Sequence, residues 1–258
     1  MFRRELKEIP VGSPVVDYPS SLEECNSCTA ARAFIAKDLR GTGIECGPGS
    51  SSNCYPLPLD VDVKYLDRFD NNEGCNQDYS GEFPNIDYKT TINEMRGIED
   101  NSLDFIVHCH VIEHSRNPLQ ALELAYQKLK PDGCLIMAVP DKRYTFDKPR
   151  KLTTAKHIID DYKIGIDSGR DLEHVHCCKK IWVGSGYKMI HEMNDEEIKQ
   201  YLNQNLIDIH WHTYTDRSFK KLLYKTQKIV PWKQIKIIPR KSFKHKKAFI
   251  EFYVLLKK

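Results

Sequence analysis

A glycine turn between two apolar segments carries residue types that bind small ligands. The stretch ECGPG begins at Glu45 and places Pro48 between two glycines, Gly47 and Gly49. Glycine accepts positive φ and has no side chain to keep a ligand from the backbone. A second acid, Asp67, ends the next apolar segment, where a carboxylate can accept hydrogen bonds from both hydroxyls of a ribose. We therefore expect a ribose-containing ligand across these two segment ends.

The same turn lacks two common nucleotide-binding motifs. After Gly49 the sequence continues SSSNC, so Ser51 and Ser52 stand where a GxGxxG fingerprint would need a further glycine. No GK followed by Ser or Thr comes next, which excludes a P-loop. A dinucleotide cofactor is therefore disfavoured.

Histidines of the second half are candidates for acid-base chemistry, because imidazole has a pKa near neutrality. His174 and His176 are two residues apart, as are His210 and His212. Residues two apart on a strand face the same way, so each pair could present two imidazoles to one pocket. We predict the general base among these four, first in HWHTYTD, which leads directly into a capped helix. A structural or surface role stays open for each pair, as does metal ligation.

The segment PDKRYTFD follows an apolar run and carries polar groups suited to an acceptor. Asp141, Arg143 and Tyr144 are candidates for binding hydroxyls or phosphate, because the fork of donors on arginine matches phosphate. His157, further along the chain, is a candidate on the same substrate side. The alternative for this segment is a solvated loop.

Nine cysteines are spread through the chain. An odd number in a chain of this size indicates free thiols in a reducing compartment, so we predict a cytoplasmic protein. Cys25 and Cys28, together with Cys177 and Cys178, would provide enough thiols for tetrahedral zinc. The first pair falls in a predicted helix and no second CxxC completes the pattern. We therefore assign no metal site.

The composition is that of a globular chain. Of 258 residues, 40% are hydrophobic and 29% are charged, close to globular averages. No apolar run approaches the ~20 residues of a membrane-spanning helix, and no apolar stretch follows the arginines at the start, so we expect a soluble, unsecreted protein without membrane insertion. Residues 217–258 carry 14 Lys or Arg and one acid, Glu251. This basic end is either a solubilising face or a surface for phosphate-bearing substrates or membrane head groups.

Apolar segments alternate with helical patterns in the first part of the chain. Strands are predicted around Ile44 and over 63–66, 103–109 and 134–139, and a helix beginning at Pro118 separates the last two. This alternation predicts an α/β fold with an open parallel sheet, whose ligands lie at the carboxyl ends of the strands.

We expect one domain over residues 1–258. Its predicted parts are an N-terminal segment and helix (1–40), a ligand-binding core (41–140), a substrate-side insertion after the fifth strand (141–212), and a helix followed by an antiparallel hairpin at the sheet edge (213–258).

The order of these features resembles class I S-adenosylmethionine-dependent methyltransferases. The glycine turn, Asp67, the segment HCHVIEH and the exit turn LKPDG follow one another as they do in that family. Residues 99–147 look like its fourth strand, helix and fifth strand, and the likeness covers residues 41–162. More narrowly, the chain is similar to methyltransferases of bacterial surface (capsular) polysaccharide biosynthesis.

The resemblance implies a Rossmann-like sheet of seven mostly parallel strands, helices on both faces, and S-adenosylmethionine as cofactor. The glycine turn would border the methionine part, Asp67 would hold the ribose, and His110 with Val111 would line the active-site side. Adenine would lie near Thr91, where the family often has an acid and where the nearest upstream acid is Asp87. The cofactor residues carried over are Glu45, Gly47, Pro48, Gly49, Asp67, Arg68, Thr91, Ile92, His110 and Val111.

The implied activity is methyl transfer to an oxygen of a small-molecule acceptor. In surface-glycan assembly this acceptor would be a sugar hydroxyl or a phosphate-type substituent of a nucleotide-linked precursor. One alternative is methylation of tRNA or another nucleic acid, which the basic end permits but no recognisable RNA-binding module supports. Another is a catalytically silent protein that binds the cofactor. No prediction of oligomeric state follows.

Overall fold

The computed structural model describes residues 21–49, 55–68, 83–165, 168–179, 192–203 and 209–258. Ser51 and Ser52, and the first 20 residues of the predicted N-terminal segment, lie outside these ranges. Seven strands are present: β1 Thr42–Cys46, β2 Asp62–Asp67, β3 Tyr88–Lys89, β4 Leu103–Cys109, β5 Leu129–Pro140, β6 Gln234–Ile238 and β7 Glu251–Lys257. The α-helices are α1 Cys28–Ala36, α2 Pro118–Lys128, α3 Ala155–Ile164, α4 Ser168–Lys179, α5 Asp195–Asn203 and α6 Asp216–Lys225.

The strands form one sheet in the order β3-β2-β1-β4-β5-β7-β6. The first five are mutually parallel, whereas β7 is antiparallel to both β5 and β6. The carboxyl ends of β1, β2, β4 and β5 therefore meet at one edge, beside the start of β7. The predicted Rossmann-like fold with an antiparallel C-terminal pair is confirmed, although only β6 of that pair is an edge strand and β7 lies inside the sheet.

Helices cover both faces of the sheet, as predicted. One hydrophobic core joins α2, α3 and α6 to the strands, and the other joins α1 to the connection between β6 and β7. Helix α2 begins where the sequence indicates, because Asn117 accepts a hydrogen bond from the backbone N–H of Gln120 and Pro118 has no N–H that would need an acceptor. Helix α6 begins at a capping box formed by Thr215 and Ser218.

Two predicted elements differ in the structure. The first helix is shorter than the apolar pattern over 21–40, because Ser27 caps it and it begins at Cys28. The segment around His174 and His176 is helix α4, whereas the predicted pairing of these two histidines required a strand. Helices α4 and α5 pack with residues 209–211 in a small core of their own, formed by Val175, Cys178, Ile198, Ile209 and Trp211.

The seven cysteines in the described ranges are free thiols, in agreement with the prediction. Within the same ranges, no helix is long and apolar enough to cross a membrane.

Candidate functional site

The glycine turn leaves β1 at the carboxyl edge of the sheet. Gly47 and Gly49 both have φ of 63°, the left-handed region that favours glycine. A Cβ at Gly47 would lie 2.7 Å from Cγ2 of Val111, so the turn after β4 packs directly on the turn after β1. The Gly47 N–H donates to the carbonyl of Leu66 at 2.8 Å, and Pro48 is buried. The turn is therefore held against both neighbouring strands.

Glu45 is a buried carboxyl group beneath this turn. Its Oε1 accepts a hydrogen bond from the backbone N–H of Tyr55 at 2.5 Å, while its Oε2 is buried without a hydrogen-bond partner in the described part of the chain. Burial raises the pKa of Glu45 to about 8, although the Tyr55 hydrogen bond and the charge of Arg32 oppose the shift. A cationic ligand group would stabilise the ionised carboxylate here.

Asp67 ends β2 next to the glycine turn, as the sequence predicts. Its Oδ1 accepts from the backbone N–H of Arg68 at 2.6 Å, and its backbone carbonyl accepts from Thr90 at 3.0 Å. The side chain is partly exposed at the strand end. This position suits a carboxylate that receives ligand hydroxyls.

The predicted adenine region follows β3. The carbonyl of Thr91 accepts from the backbone N–H groups of Glu94 and Met95, which closes a tight turn. Ile92 is buried in the core on the α2 side of the sheet. Oδ2 of Asp87, the nearest upstream acid, accepts from the backbone N–H of Tyr65 at 2.9 Å.

The residues at this edge fit S-adenosylmethionine. The buried Oε2 of Glu45 can accept from the ammonium of the methionine part, and the positive-φ glycines leave the backbone open to it. Asp67 ends β2, the strand next to β1, and in folds of this kind an acid at this strand end usually holds a ribose. These residues would hold the cofactor as the family resemblance implies.

A buried ionic chain lies beside the cofactor edge. Glu251, at the start of β7, is fully buried. It accepts from Arg32 Nε at 3.0 Å and from a terminal nitrogen of Arg32 at 2.6 Å. Its Oε2 also lies 2.7 Å from Nε2 of His110, directly after β4. Burial alone would raise the pKa of Glu251, but the His110 hydrogen bond and the Arg32 charge hold it well below its usual range.

His110 combines a strained backbone with an accessible ring. Its φ is 55°, which is uncommon for a residue with a side chain and clusters at functional sites. Its side chain is 28% exposed, although its Glu251 partner is fully buried. Because the ionised carboxylate is an acceptor, Nε2 is the ring nitrogen that donates to it.

Sequence reasoning missed Arg32 and Glu251. The signal for Glu251 was present, because it is the one acid among 14 basic residues in 217–258 and interrupts the apolar run FIEFYVLL. A lone acid in a buried strand needs a charged partner. Arg32 gave no comparable signal on its helix.

The predicted substrate residues after β5 are largely engaged with one another. Asp141 is fully buried, and both of its oxygens accept from Arg143. Arg143 also lies 2.5 Å from Asp216, and these hydrogen bonds raise its pKa. Arg143 therefore bridges the segment after β5 and the start of α6, and acceptor binding by Asp141 and Arg143 stays a prediction. Tyr144 remains 43% exposed, with the Arg240 guanidinium 3.8 Å from its ring centroid.

The four predicted base candidates separate into three environments. His176 lies on α4 and contacts Asp195 at 2.8 Å on the surface. His174, on the same helix, turns inward, because residues two apart on a helix do not face the same way. The predicted pairing of these two histidines is therefore wrong. His210 and His212 also diverge and enter different clusters.

His210 forms a carboxylate–histidine dyad with Asp147. Its Nδ1 lies 2.5 Å from Asp147 Oδ2, and its Nε2 lies 3.9 Å from Oε1 of buried Glu113. Burial would raise the pKa of Asp147, but the hydrogen bond from His210 lowers it. His114 packs edge-on against His210, with ring centroids 4.7 Å apart.

His212 packs against two histidines, His157 on α3 and His174 on α4. Its ring is fully buried, with centroids 4.9 Å from His174 and 5.7 Å from His157. Nε2 of His157 lies 3.1 Å from Nε2 of His174 and 3.1 Å from Oδ2 of Asp161. Burial, and secondarily His174, lower the pKa of His212. His157, predicted to bind substrate, belongs to this cluster and is partly exposed.

Solved structures similar to this chain are distant relatives in sequence. A SAM-dependent methyltransferase from Thermotoga maritima is 15% identical over 88% of this chain and 86% of its own, with a TM-score of 0.44. The CurJ carbon methyltransferase is 14% identical over 89% of this chain and 52% of its own, with a TM-score of 0.44. An arsenic(III) S-adenosylmethionine methyltransferase from Chlamydomonas reinhardtii is 14% identical over 84% and 62%, with a TM-score of 0.40.

No curated protein sequence matches this chain. A family model described as a methyltransferase domain matches residues 24–226, which span β1 to β5 and the segment up to α6. That range includes the glycine turn, Asp67 and His110, and it implies S-adenosylmethionine as the cofactor. The chain belongs to this methyltransferase domain family.

Proposed function

We propose that the chain methylates a hydroxyl oxygen of a small-molecule acceptor, with His110 as the general base. The observation that carries this proposal is the chain of contacts from Arg32 through Glu251 to His110 at the carboxyl end of β4. S-adenosylmethionine, when bound, supplies a methyl group on a sulfonium. The residues of this edge have to orient the acceptor oxygen and take its proton.

The ionic chain suits His110 to that task. Arg32 keeps Glu251 ionised, and ionised Glu251 holds the proton on Nε2 of His110. Nδ1 is then the basic nitrogen, and the imidazolium that forms when it takes a proton is stabilised by the same carboxylate. Val111, the next residue, touches the glycine turn, so the ring lies beside the cofactor edge.

The surroundings favour a neutral hydroxyl over a phosphate oxygen as the methylated atom. A phosphate is ionised at neutral pH and needs no base, whereas a hydroxyl gains from one. Arg143, the predicted phosphate ligand, already bridges Asp141 and Asp216. We therefore propose a sugar hydroxyl as acceptor, in surface-glycan assembly in the cytoplasm.

An anionic part of the acceptor, such as the phosphates of a nucleotide-linked sugar, would meet basic residues on the rim. The guanidinium of Arg240 stacks on exposed Tyr144, and its Nε donates to the carbonyl of Phe249, two residues before Glu251. Lys241, Lys244, Lys246 and Lys247 are exposed nearby in sequence. This supports the prediction of a phosphorylated or nucleotide-linked acceptor.

The test is a methyl-transfer screen of nucleotide sugars with isotope-labelled cofactor, read as a mass gain of one methyl. Once an acceptor is found, His110→Ala should lower turnover by about 10²- to 10⁴-fold and leave the cofactor Kd unchanged. His176→Ala, an exposed histidine on α4, is the matched control and should retain turnover.

The screen also separates the competing assignments. A normal turnover rate for His110→Ala together with a large loss for His210→Ala would assign the general base to His210, which pairs with Asp147. Methylated carbon or nitrogen in the product would overturn oxygen transfer. Cofactor binding without transfer to any acceptor would favour the silent protein, and methyl incorporation into tRNA would favour the nucleic-acid alternative.

A further inference from the structure

We propose that His157, Asp161, His174 and His212 bind a structural Zn²⁺ ion. One ligand atom from each of the four residues lies within 4.8 Å of the others. Three imidazoles and one carboxylate are ligands that zinc takes in tetrahedral sites. The cluster is separate from the cofactor edge and from the base proposed above.

The spacing of the ligand atoms suits a tetrahedral ion. Zinc bonds of about 2.0–2.1 Å place neighbouring ligand atoms about 3.3 Å apart. Nε2 of His157 lies 3.1 Å from Nε2 of His174 and 3.1 Å from Oδ2 of Asp161. A small adjustment of side chains would open the centre of this group to a metal ion.

His212 has the hydrogen-bonding pattern of a ligating histidine. Its Nδ1 is buried and has no hydrogen-bond partner within the described ranges. Its Nε2 lies 3.4 Å from the carbonyl of Arg116, which can accept the ring proton. In metal-bound histidines the second ring nitrogen usually donates its N–H to such a carbonyl. An ion would also satisfy this buried nitrogen, which is unpaired among the described residues.

The ligands come from three separate parts of the chain. His157 and Asp161 are four residues apart on α3 and therefore share a face. His174 comes from α4, and His212 from the segment before α6. The His212 N–H donates to the carbonyl of Glu113 at 3.3 Å, so the ion would join α3 and α4 to the turn after β4. Four protein ligands close the coordination sphere, which is typical of a structural site.

The first experiment measures metal in the full-length chain, purified without metal-affinity chromatography. Mass spectrometry of the metals should find about one zinc per chain. Removal with a chelator should lower the melting temperature, and Zn²⁺ but not Mg²⁺ should restore it, because binding stabilises the folded state. Cobalt replacement should give the strong visible absorption of a tetrahedral site.

Variants then assign the ligands. Asp161→Asn keeps the shape of the side chain, and His174→Ala removes a ligand from α4. Both should reduce zinc to well below half an ion per chain and abolish the effect of the chelator on melting. His176→Ala, on the exposed side of the same helix, is the matched control and should keep full zinc.

Two results would overturn the proposal. One is a wild-type chain that neither contains zinc nor binds it in titration with micromolar Zn²⁺. The other is full zinc content in both ligand variants. If a variant fails to fold, the wild-type cobalt spectrum still decides, because an octahedral or absent spectrum contradicts a closed four-ligand site.

Discussion

The edge of the sheet and the histidine-rich segment after β5 use similar residues in opposite ways. At the edge, one histidine, His110, is held by one carboxylate and is partly exposed. In the segment, His157, His174 and His212 face one another around Asp161. The first arrangement suits proton transfer, and the second suits a metal ion.

The difference follows from how each group is supported. Glu251 is fixed by a bidentate ion pair with Arg32, so its charge is satisfied and its position is rigid. His157, His174 and His212 instead meet around the buried carboxylate of Asp161. A buried polar cluster of that kind is stabilised when an ion satisfies it.

The largest expected effect comes from breaking the ionic chain at the edge. Glu251→Leu leaves Arg32 charged and buried, so the free energy of unfolding should fall by about 3–5 kcal/mol. Adding Arg32→Met to Glu251→Leu should recover much of this loss, while turnover stays low. Urea denaturation measures the free energy of unfolding of the single and the double variant. Glu196→Ala removes an exposed pair with Lys199 and should change stability by less than about 1 kcal/mol. Equal losses in the two single variants would contradict the buried-pair account.

The second effect is a pH dependence of stability at Glu45. Its pKa is about 8 in the folded chain, against a usual value of 4.5. The folded state therefore holds a proton that the unfolded state releases, and stability is lost as pH rises through this window. Glu45→Gln lacks that loss, so it should become more stable than the wild type by up to about 4 kcal/mol at pH 7.5. Parallel stability curves for the two proteins from pH 5 to 8 would exclude this pKa.

The third effect concerns cofactor affinity at the end of β2. Asp67→Ala removes hydrogen bonds to a charged acceptor, which costs about 1.5–3 kcal/mol, or roughly 10- to 150-fold in the Kd of S-adenosylmethionine. Asp62→Ala, at the exposed start of the same strand, is the control and should bind normally. Calorimetry measures both variants. An unchanged Kd for Asp67→Ala would remove the ribose from this position.

The smallest stability effect is expected on the rim. Tyr144→Ala should change the free energy of unfolding by less than about 0.5 kcal/mol, because the side chain is exposed. It should nevertheless raise the KM for the acceptor if Tyr144 and Arg240 contact it. Tyr224 on α6 is another exposed tyrosine, with the ammonium of Lys220 over its ring. As the control, Tyr224→Ala should leave KM unchanged. Equal KM values in both variants would place the acceptor elsewhere.

The sequence predicted the sheet well because its signals are local. The apolar runs at β1, β2 and β4, the capped helix at Pro118 and the glycine turn are short-range patterns that backbone geometry requires. The fold confirmed each of them. The histidine segment was predicted poorly. Helix α4 carries few apolar residues, and the spacing of two between His174 and His176 was interpreted as that of a strand.

By itself, the sequence determined which segments form the strands of the cofactor edge, the positions of Gly47 and Asp67 at the ends of two of them, and the basic character of the C-terminal end. Only the tertiary structure decided which charges meet. Arg32 and Glu251 are 219 residues apart, and His157, His174 and His212 lie on three different segments. Contacts between such distant positions depend on how the sheet and its helices pack, and no local pattern encodes that packing.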